Sequence, residues 1–313
     1  MWKLTSKSTR LKPGRHFIYL FLIPGLLIYT AFLIAPIFYS ISLSFFTGEG
    51  MRTPTQFVGL DNYIKLFTQY PFNERFFNAL GNTVIFFLIV TLFQNVLGFF
   101  IAVLISRKFR GNNFFKKLSF LPTTLSVLVI GFMFRMMLNP TWGIFDRILE
   151  GLGLESLIRP WLGNTTTALP VLAIVVSWQF LGEAILFYTV GIANIDNEIL
   201  EAARIDGANS MAEIRHIIFP SILPIIGIVT ILIFIGDFTQ FDIVYAMTTT
   251  RGNPVYSTDL LGSLFYRSTF QSPEKGGWGI GMGATLASVI SIIVFVGVLT
   301  WLIAFKMKGS ERK

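Results

Sequence analysis

The chain has 313 residues, 53% of them hydrophobic and 13% charged, with a mean hydropathy of +0.66 and a formal net charge of +8. Soluble domains carry about 25% charged residues, so this composition excludes an ordinary soluble globular protein. The lack of cysteine excludes disulfides, thiolate metal sites and a lipid-anchored cysteine, and two histidines, His16 and His216, are too few and too separated for a metal centre.

Six apolar blocks stand out, near 17–46, 80–105, 118–138, 168–190, 217–247 and 284–305. Each is long enough to cross about 30 Å of hydrocarbon. The predicted fold class is all-α integral membrane, with six transmembrane helices over 17–305 and short polar ends at 1–16 and 306–313. The first block follows a basic stretch, MWKLTSKSTRLKPGR, yet it is too long for the apolar core of a signal peptide and no small-residue cleavage site follows. It is predicted as a retained helix kinked at Pro24 and Pro36, because neighbours in a membrane protein can satisfy the freed carbonyls. In block two, Gln94 and Asn95 are expected to hydrogen-bond between helices. Arg135, near the end of block three, is expected to snorkel to the headgroups. After it, IFDRILEGLGLESLI (144–158) has the pattern of a short amphipathic surface helix.

Polar side chains inside spans are costly and point to function. Block four carries Trp178, Gln179 and Glu183, the last two on one helix face; block five carries Asp237 and Gln240, with Asp242 nearby. Carboxylates and amides hydrogen-bond hydroxyl groups of a polar solute, and an indole ring offers an apolar face for stacking. Bridges between helices would use the same residue types equally well, and among the six Glu183 and Asp237 stand out. Further on, Gly276, Gly277, Gly279, Gly281 and Gly283 lack the lysine of a phosphate loop, and no such loop occurs elsewhere. Gly279, Gly283 and Ala287, spaced by four, make a smooth face for helix packing.

Sidedness follows from Lys and Arg in the loops. Segment 1–16, the loops after blocks two and four, and the tail hold sixteen; the three alternate loops, which are longer, hold eight. Both ends and the loop between blocks four and five are therefore expected on the cytoplasmic side. The basic excess is topological, and no nucleic-acid partner is implied.

That loop holds EAARIDGANSMAEIRHIIFP (201–220). Asp196 and Asn197 are N-cap types, with Glu198 and Glu201 in the first turn, where the helix dipole favours carboxylates. Gly207 suits a left-handed position just past a helix end. Ser210 is predicted to open a second helix with Glu213 completing a capping box, running through Ile214, Ile217 and Ile218 to Pro220. By helix signals alone, a well-capped connector resting on headgroups fits as well as a functional element.

The spacing decides between them. Glu201-Ala202-Ala203, Gly207, Ile217, Phe219 and Pro220 resemble the E-A-A-x3-G-x9-I-x-L-P loop of ABC-importer permeases, with phenylalanine for the usual leucine. FVGLDNY (57–63), Gly81-Asn82-Thr83, Leu121-Pro122, Trp178 and FDIVYAMT (241–248) are similar to the binding-protein-dependent, maltose-type sugar permeases. There FDIVYAMT is commonly followed by G-G-P, whereas this chain has TTRGNP (249–254).

The resemblance implies a non-catalytic permease subunit of a bacterial-type cytoplasmic membrane. Its loop between spans four and five is then a coupling helix, docked in a partner ATPase through Glu201, Ala202, Ala203, Arg204, Asp206, Gly207, Ala208 and Pro220. Glu201 and Arg204 would offer charge pairing to that partner. The implied assembly contains a second, similar but non-identical permease, two cytoplasmic ABC ATPases that hold ATP and Mg, an extracytoplasmic solute-binding protein and a carbohydrate substrate. No cofactor is implied for this chain itself. The alternatives are a permease for glycerol-3-phosphate or another polar solute, an ion-coupled secondary transporter using Glu183 and Asp237, and a membrane-embedded enzyme, for which no paired nucleophile-and-base motif is present.

Overall fold

The computed structural model describes residues 15–48, 55–107, 111–271 and 278–310. Of the basic residues counted above, Lys3, Lys7, Arg10, Lys12, Arg52, Lys108, Arg110, Lys275, Arg312 and Lys313 lie outside these segments, as do Gly276 and Gly277. Among the described residues five helical spans are long and apolar enough to cross a membrane, or six if one sharply bent pair counts as a span.

In the first span α1 (Arg15–Tyr29) passes into α2 (Ala35–Leu43) through a π-turn at Thr30–Ile34. Pro36 accounts for the wide turn. In a regular α-helix its ring would meet the carbonyl of Phe32, and the π-turn moves that carbonyl aside. None of the residues from Leu22 to Leu43 is buried by the rest of the chain. Beyond it β1 (Phe46–Thr47) pairs antiparallel with β2 (Gln56–Phe57), a small ribbon absent from the all-α expectation. Asn62, on α3 (Asp61–Thr68), donates to the carbonyls of Ser44 (2.8 Å) and Phe46 (3.0 Å), and Tyr63 Oη lies 2.8 Å from Ser44 Oγ. The FVGLDNY stretch thus clamps the end of the first span.

The second span, α4 (Phe72–Ser106), begins well before the apolar block and runs 35 residues, about 52 Å at 1.5 Å per residue. Its buried residues Phe72, Phe76, Ala79, Thr83, Phe86, Val90 and Gln94 recur every three or four positions, so one face is covered. The fourth span, α8 (Ala168–Ala193), packs along α4. A Cβ added at Gly98 would stand 3.0 Å from that of Ala184, so the two backbones approach closely.

Block three is not one straight helix. α5 (Asn112–Phe120) and a 3-10 turn at Leu121–Thr124 are followed by α6 (Val127–Met137), with a bend of 93° between them. Pro122 ends the regular ladder, and the Thr123 and Thr124 hydroxyls donate back to the carbonyls of Phe120 and Leu121 at 2.6 and 2.7 Å. Leu125 and Ser126 are extended. The amphipathic stretch forms α7 (Ile144–Gly151), whose buried Asp146 accepts from Trp161 Nε1 at 3.1 Å.

After α9 (Asn197–Ile205), α10 (Ser210–Glu213) passes through a π-turn at Ile214–Ile218 into α11 (Phe219–Phe238) without a break. Pro220 widens that turn as Pro36 does in the first span. Block five was expected to continue to 247. Instead it breaks at Thr239–Phe241 and resumes as α12 (Asp242–Thr248), packed on α6 where Gly131 meets Ala246. α13 (Leu261–Tyr266) precedes α14 (Ile280–Ser310), the last span. Gly279 lies before that helix, so the expected face holds only in part: Gly283 packs against Thr269, and Gly281, off that face, meets the Phe46 carbonyl.

A side chain at Gly182 would run into the Ser119 carbonyl, whereas Gly25 has nothing within 4 Å. Gly182→Val should therefore cost about 1–3 kcal/mol of overpacking and lower the melting midpoint of the detergent-purified protein. Gly25→Ala should leave that midpoint unchanged.

Candidate functional site

Two features distinguish the bundle: a short helix protruding at one end, and a polar cavity between the long helices. The protruding element begins at Asp196, which occupies the N-cap position of α9 without a side-chain capping bond. The helix ends as a Schellman motif: Ala208 N donates to Ala203 O (2.9 Å) and Gly207 N to Arg204 O (3.1 Å). Gly207 has φ +84°, the left-handed conformation that the motif requires and that glycine adopts without steric cost.

The second helix is capped differently from the expectation. Asn209, not Ser210, is the N-cap, and its Oδ1 accepts from Ala212 N at 2.9 Å. Glu213 is not in a capping box. Arg204 Nε lies 2.6 Å from its Oε1, so the guanidinium expected to pair with a partner is paired within the chain. That hydrogen bond, reinforced by the charge of Glu213, raises the Arg204 pKa above its ordinary value. The ion pair braces α9 against α10. Glu201, Ala202, Asp206 and Gly207 stay exposed, and Ala203 and Ala208 are half-buried. Pro220 sits in the first turn of α11.

Large apolar side chains complete the bracket. Ile205 is 86% exposed and Met211 66% exposed, on either side of the Gly207 turn. Sequence reasoning passed over both, although each is a large apolar side chain in a polar loop.

The cavity, of about 340 Å³, lies between α4, α6, α8 and α11. Its polar lining is Gln94, Glu183, Asp237, Gln240 and Asp242, set in apolar walls that include Phe180, Phe187 and Leu232. The break after Phe238 matters here, because it turns the chain so that Asp237, Gln240 and Asp242 reach one space. Asp237 is 4% exposed and its Oδ2 has no hydrogen-bond partner. Buried polar atoms are ordinarily paired, so an orphan carboxylate oxygen at a cavity wall is one ready for a donor. No lysine or arginine lines the cavity.

Four of the six expected residues thus converge, and two do not. Trp178 is half exposed, with its ring edge-on to Phe134 at 5.5 Å. Gln179 is fully buried and donates from Nε2 to the Leu125 carbonyl at 3.0 Å, which ties α8 to the extended break in span three. Gln94 makes the opposite correction: expected to bridge helices, it lines the cavity instead. The bridging falls to Asn95, whose Nδ2 donates to Thr230 Oγ1 (2.9 Å) while its Oδ1 accepts from Tyr188 Oη (2.6 Å). One amide thereby joins α4, α8 and α11 beside the cavity.

A cavity with converging polar groups among apolar spans, joined by a continuous helix to an exposed bracket, fits a membrane transport subunit. The chain belongs to the family of binding-protein-dependent transport system inner membrane components, which matches residues 94–306. That stretch contains the whole cavity lining and the bracket. The chain is 31% identical over 295 residues to the probable ABC transporter permease protein YurN of Bacillus subtilis (strain 168), covering 94% of this chain and 97% of that one. It is 32% identical over 276 residues to the multiple sugar-binding transport system permease protein MsmF of Streptococcus mutans serotype c, covering 88% and 89%. In fold it resembles a chain of a bacterial ABC transporter involved in alginate import, with TM-score 0.79 and 20% identity over 93% of this chain and 96% of that one.

The three-helix clasp yields a prediction. Asn95→Leu removes two interhelical hydrogen bonds, each about 0.6 kcal/mol in a typical membrane protein, and leaves the buried Tyr188 hydroxyl without its acceptor. The melting midpoint in detergent should fall. Tyr188→Phe should lower it in the wild-type background and have little further effect beside Asn95→Leu.

Proposed function

We propose that this chain is one half of the translocation path of an ABC importer for a carbohydrate, in particular an oligosaccharide. The observation that carries the proposal is a single rod. From Ser210 to Phe238 the helix is continuous for 29 residues, about 44 Å. The bracket sits at one end and Asp237 at the other. A push on the bracket is therefore delivered to the cavity wall with little loss, as a floppy loop could not do.

In this reading the bracket is the coupling helix. Ile205 and Met211 enter an apolar cleft of a cytoplasmic ATPase, Ala202 and Gly207 allow close approach, and Glu201 and Asp206 meet its polar rim. Two such ATPases hold ATP and Mg and supply the stroke; this chain supplies no catalytic group. A second, non-identical permease chain completes the path, and an extracytoplasmic binding protein delivers the solute. Both ends of the chain lie on the cytoplasmic side with the bracket.

The cavity supports a hydroxyl-rich solute: amide and carboxylate oxygens accept from hydroxyls, and Phe180 and Phe187 supply apolar surface for ring faces. Its unneutralised acids oppose a phosphate ester. The names of relatives support sugars too, among them the lactose permease protein LacF of Rhizobium radiobacter and the arabinooligosaccharides permease protein AraP of Bacillus subtilis (strain 168).

Reconstitution tests the proposal. Uptake should require ATP, the ATPase and the binding protein, and uptake driven by an ion gradient without them would overturn it. Gly207→Asp should insert normally yet reduce uptake at least tenfold while ATP hydrolysis loses its response to the binding protein. Asp237→Asn should raise the KM for solute with membrane levels unchanged.

A further inference from the structure

On another face of α8 lies an apolar groove of about 490 Å³, formed with the end of α5 and the turn that follows it. Phe120 and Leu121 stand on one side, Leu186 and Val190 on the other. Leu121, Leu186 and Val190 are each more than half exposed, so the groove opens outward from the bundle. The cavity uses a different set of α8 residues, through Phe180, Glu183 and Phe187.

The groove has a direction. At one end Gly182 meets the Ser119 carbonyl, and no side chain fits between them. The other end points to the bracket, because the lining reaches Ala193, three residues before Asp196. α5 starts at that same end: Asn112 donates to the Ile105 carbonyl near the end of α4, whose Phe99 lies near Phe219. Lys116 and Lys117 therefore line the groove nearer the bracket than Phe120 and Leu121 do.

The two lysines are unanswered. Neither makes an ion pair among the described residues, and no acid lines the groove. The undescribed stretch just before α5, 108–110, reads Lys-Phe-Arg and adds no acid. At the same end Thr189, 9% exposed, lines the groove with its Oγ1 lacking any hydrogen-bond partner. A buried hydroxyl is ordinarily paired.

We infer that this groove holds an anionic phospholipid. Its phosphate pairs with Lys116 and Lys117, its ester carbonyls face the Thr189 hydroxyl, and an acyl chain lies along Phe120, Leu121, Leu186 and Val190. One molecule thus offers an anion, acceptors and an apolar tail in the order in which the groove receives them. Basic pockets between membrane helices bind lipid head groups in this way. A second permease chain fits less well, because the same loop asymmetry would bring its own basic residues to this level. The inference concerns the membrane around the chain and does not depend on which solute crosses it.

The chain has no cysteine, so Leu118→Cys, exposed beside the groove but not lining it, gives a single site for a fluorophore. The full-length protein, with any subunits that copurify, is placed in phosphatidylcholine vesicles containing a minor share of brominated phosphatidylglycerol or brominated phosphatidylcholine. Quenching should favour phosphatidylglycerol by roughly fivefold or more, as about 1 kcal/mol per lysine implies. Lys116→Glu with Lys117→Glu should abolish the preference, and arginine at both positions should keep it. Should the glutamate pair fail to insert, glutamine at both positions serves, with the same loss expected. Equal quenching by the two lipids would mark ordinary annular contact and overturn the inference. Quenching by neither would mean that protein, such as a second permease, covers the groove, and would overturn it as well. A preference that survives loss of both lysines, or one erased by inorganic phosphate, would also sink it.

Discussion

The Asn95 amide is the point on which the arrangement turns. In hydrocarbon, apolar side chains gain little by leaving lipid for a neighbouring helix, so close packing and buried hydrogen bonds must specify which helices meet and in what register. Asn95 accepts from α8 and donates to α11 at the same depth. Gly98, one turn on, lets α8 approach α4 closely. The cavity is assembled directly around this clasp: Gln94 precedes Asn95, Phe187 precedes Tyr188 with Ala184 one turn before it, and Val229 precedes Thr230. Loss of the clasp would therefore free the walls of the cavity as well as the bundle.

Two interruptions of regular helix also shape the cavity. At Leu125 the exposed carbonyl is taken by Gln179, so a break inside the membrane carries its own hydrogen-bond partner. At Thr239–Phe241 the chain turns and sets Asp242 at the start of a new helix, where the helix dipole stabilises a carboxylate. By contrast, the π-turns before Pro36 and Pro220 preserve continuity. The second keeps the rod from bracket to cavity in one piece despite its proline. The helix break after Phe238 lies where polar side chains converge, and the helix repair before Pro220 lies where the proposed stroke would pass.

Charge is distributed in the same functional order. The cavity is lined by acids and by no lysine or arginine, and in the bracket Arg204 is paired with Glu213. What the bracket offers a partner is therefore shape and apolar contact at Ile205 and Met211, with acids at its edge. In the proposed docking the Arg204–Glu213 pair can stay intact while Glu201 and Asp206 remain available.

The sequence by itself determined the class of fold, the number and order of apolar blocks, and the bracket with its glycine turn. These depend on local quantities: run length, spacing, and the φ that residue 207 must adopt. It also singled out Glu183, Asp237, Gln240 and Asp242, because an ionisable or amide group in an apolar run is conspicuous. Only the tertiary structure decided which polar residues share a space. Gln94 and Asn95 are neighbours of nearly the same chemistry, and Gln179 lies one turn from Glu183. Each pair was separated by which helix happened to face it. Likewise, Arg204 found Glu213 and Arg267 found Asp259, since charge pairing across a turn or between loops depends on distances that linear order does not contain.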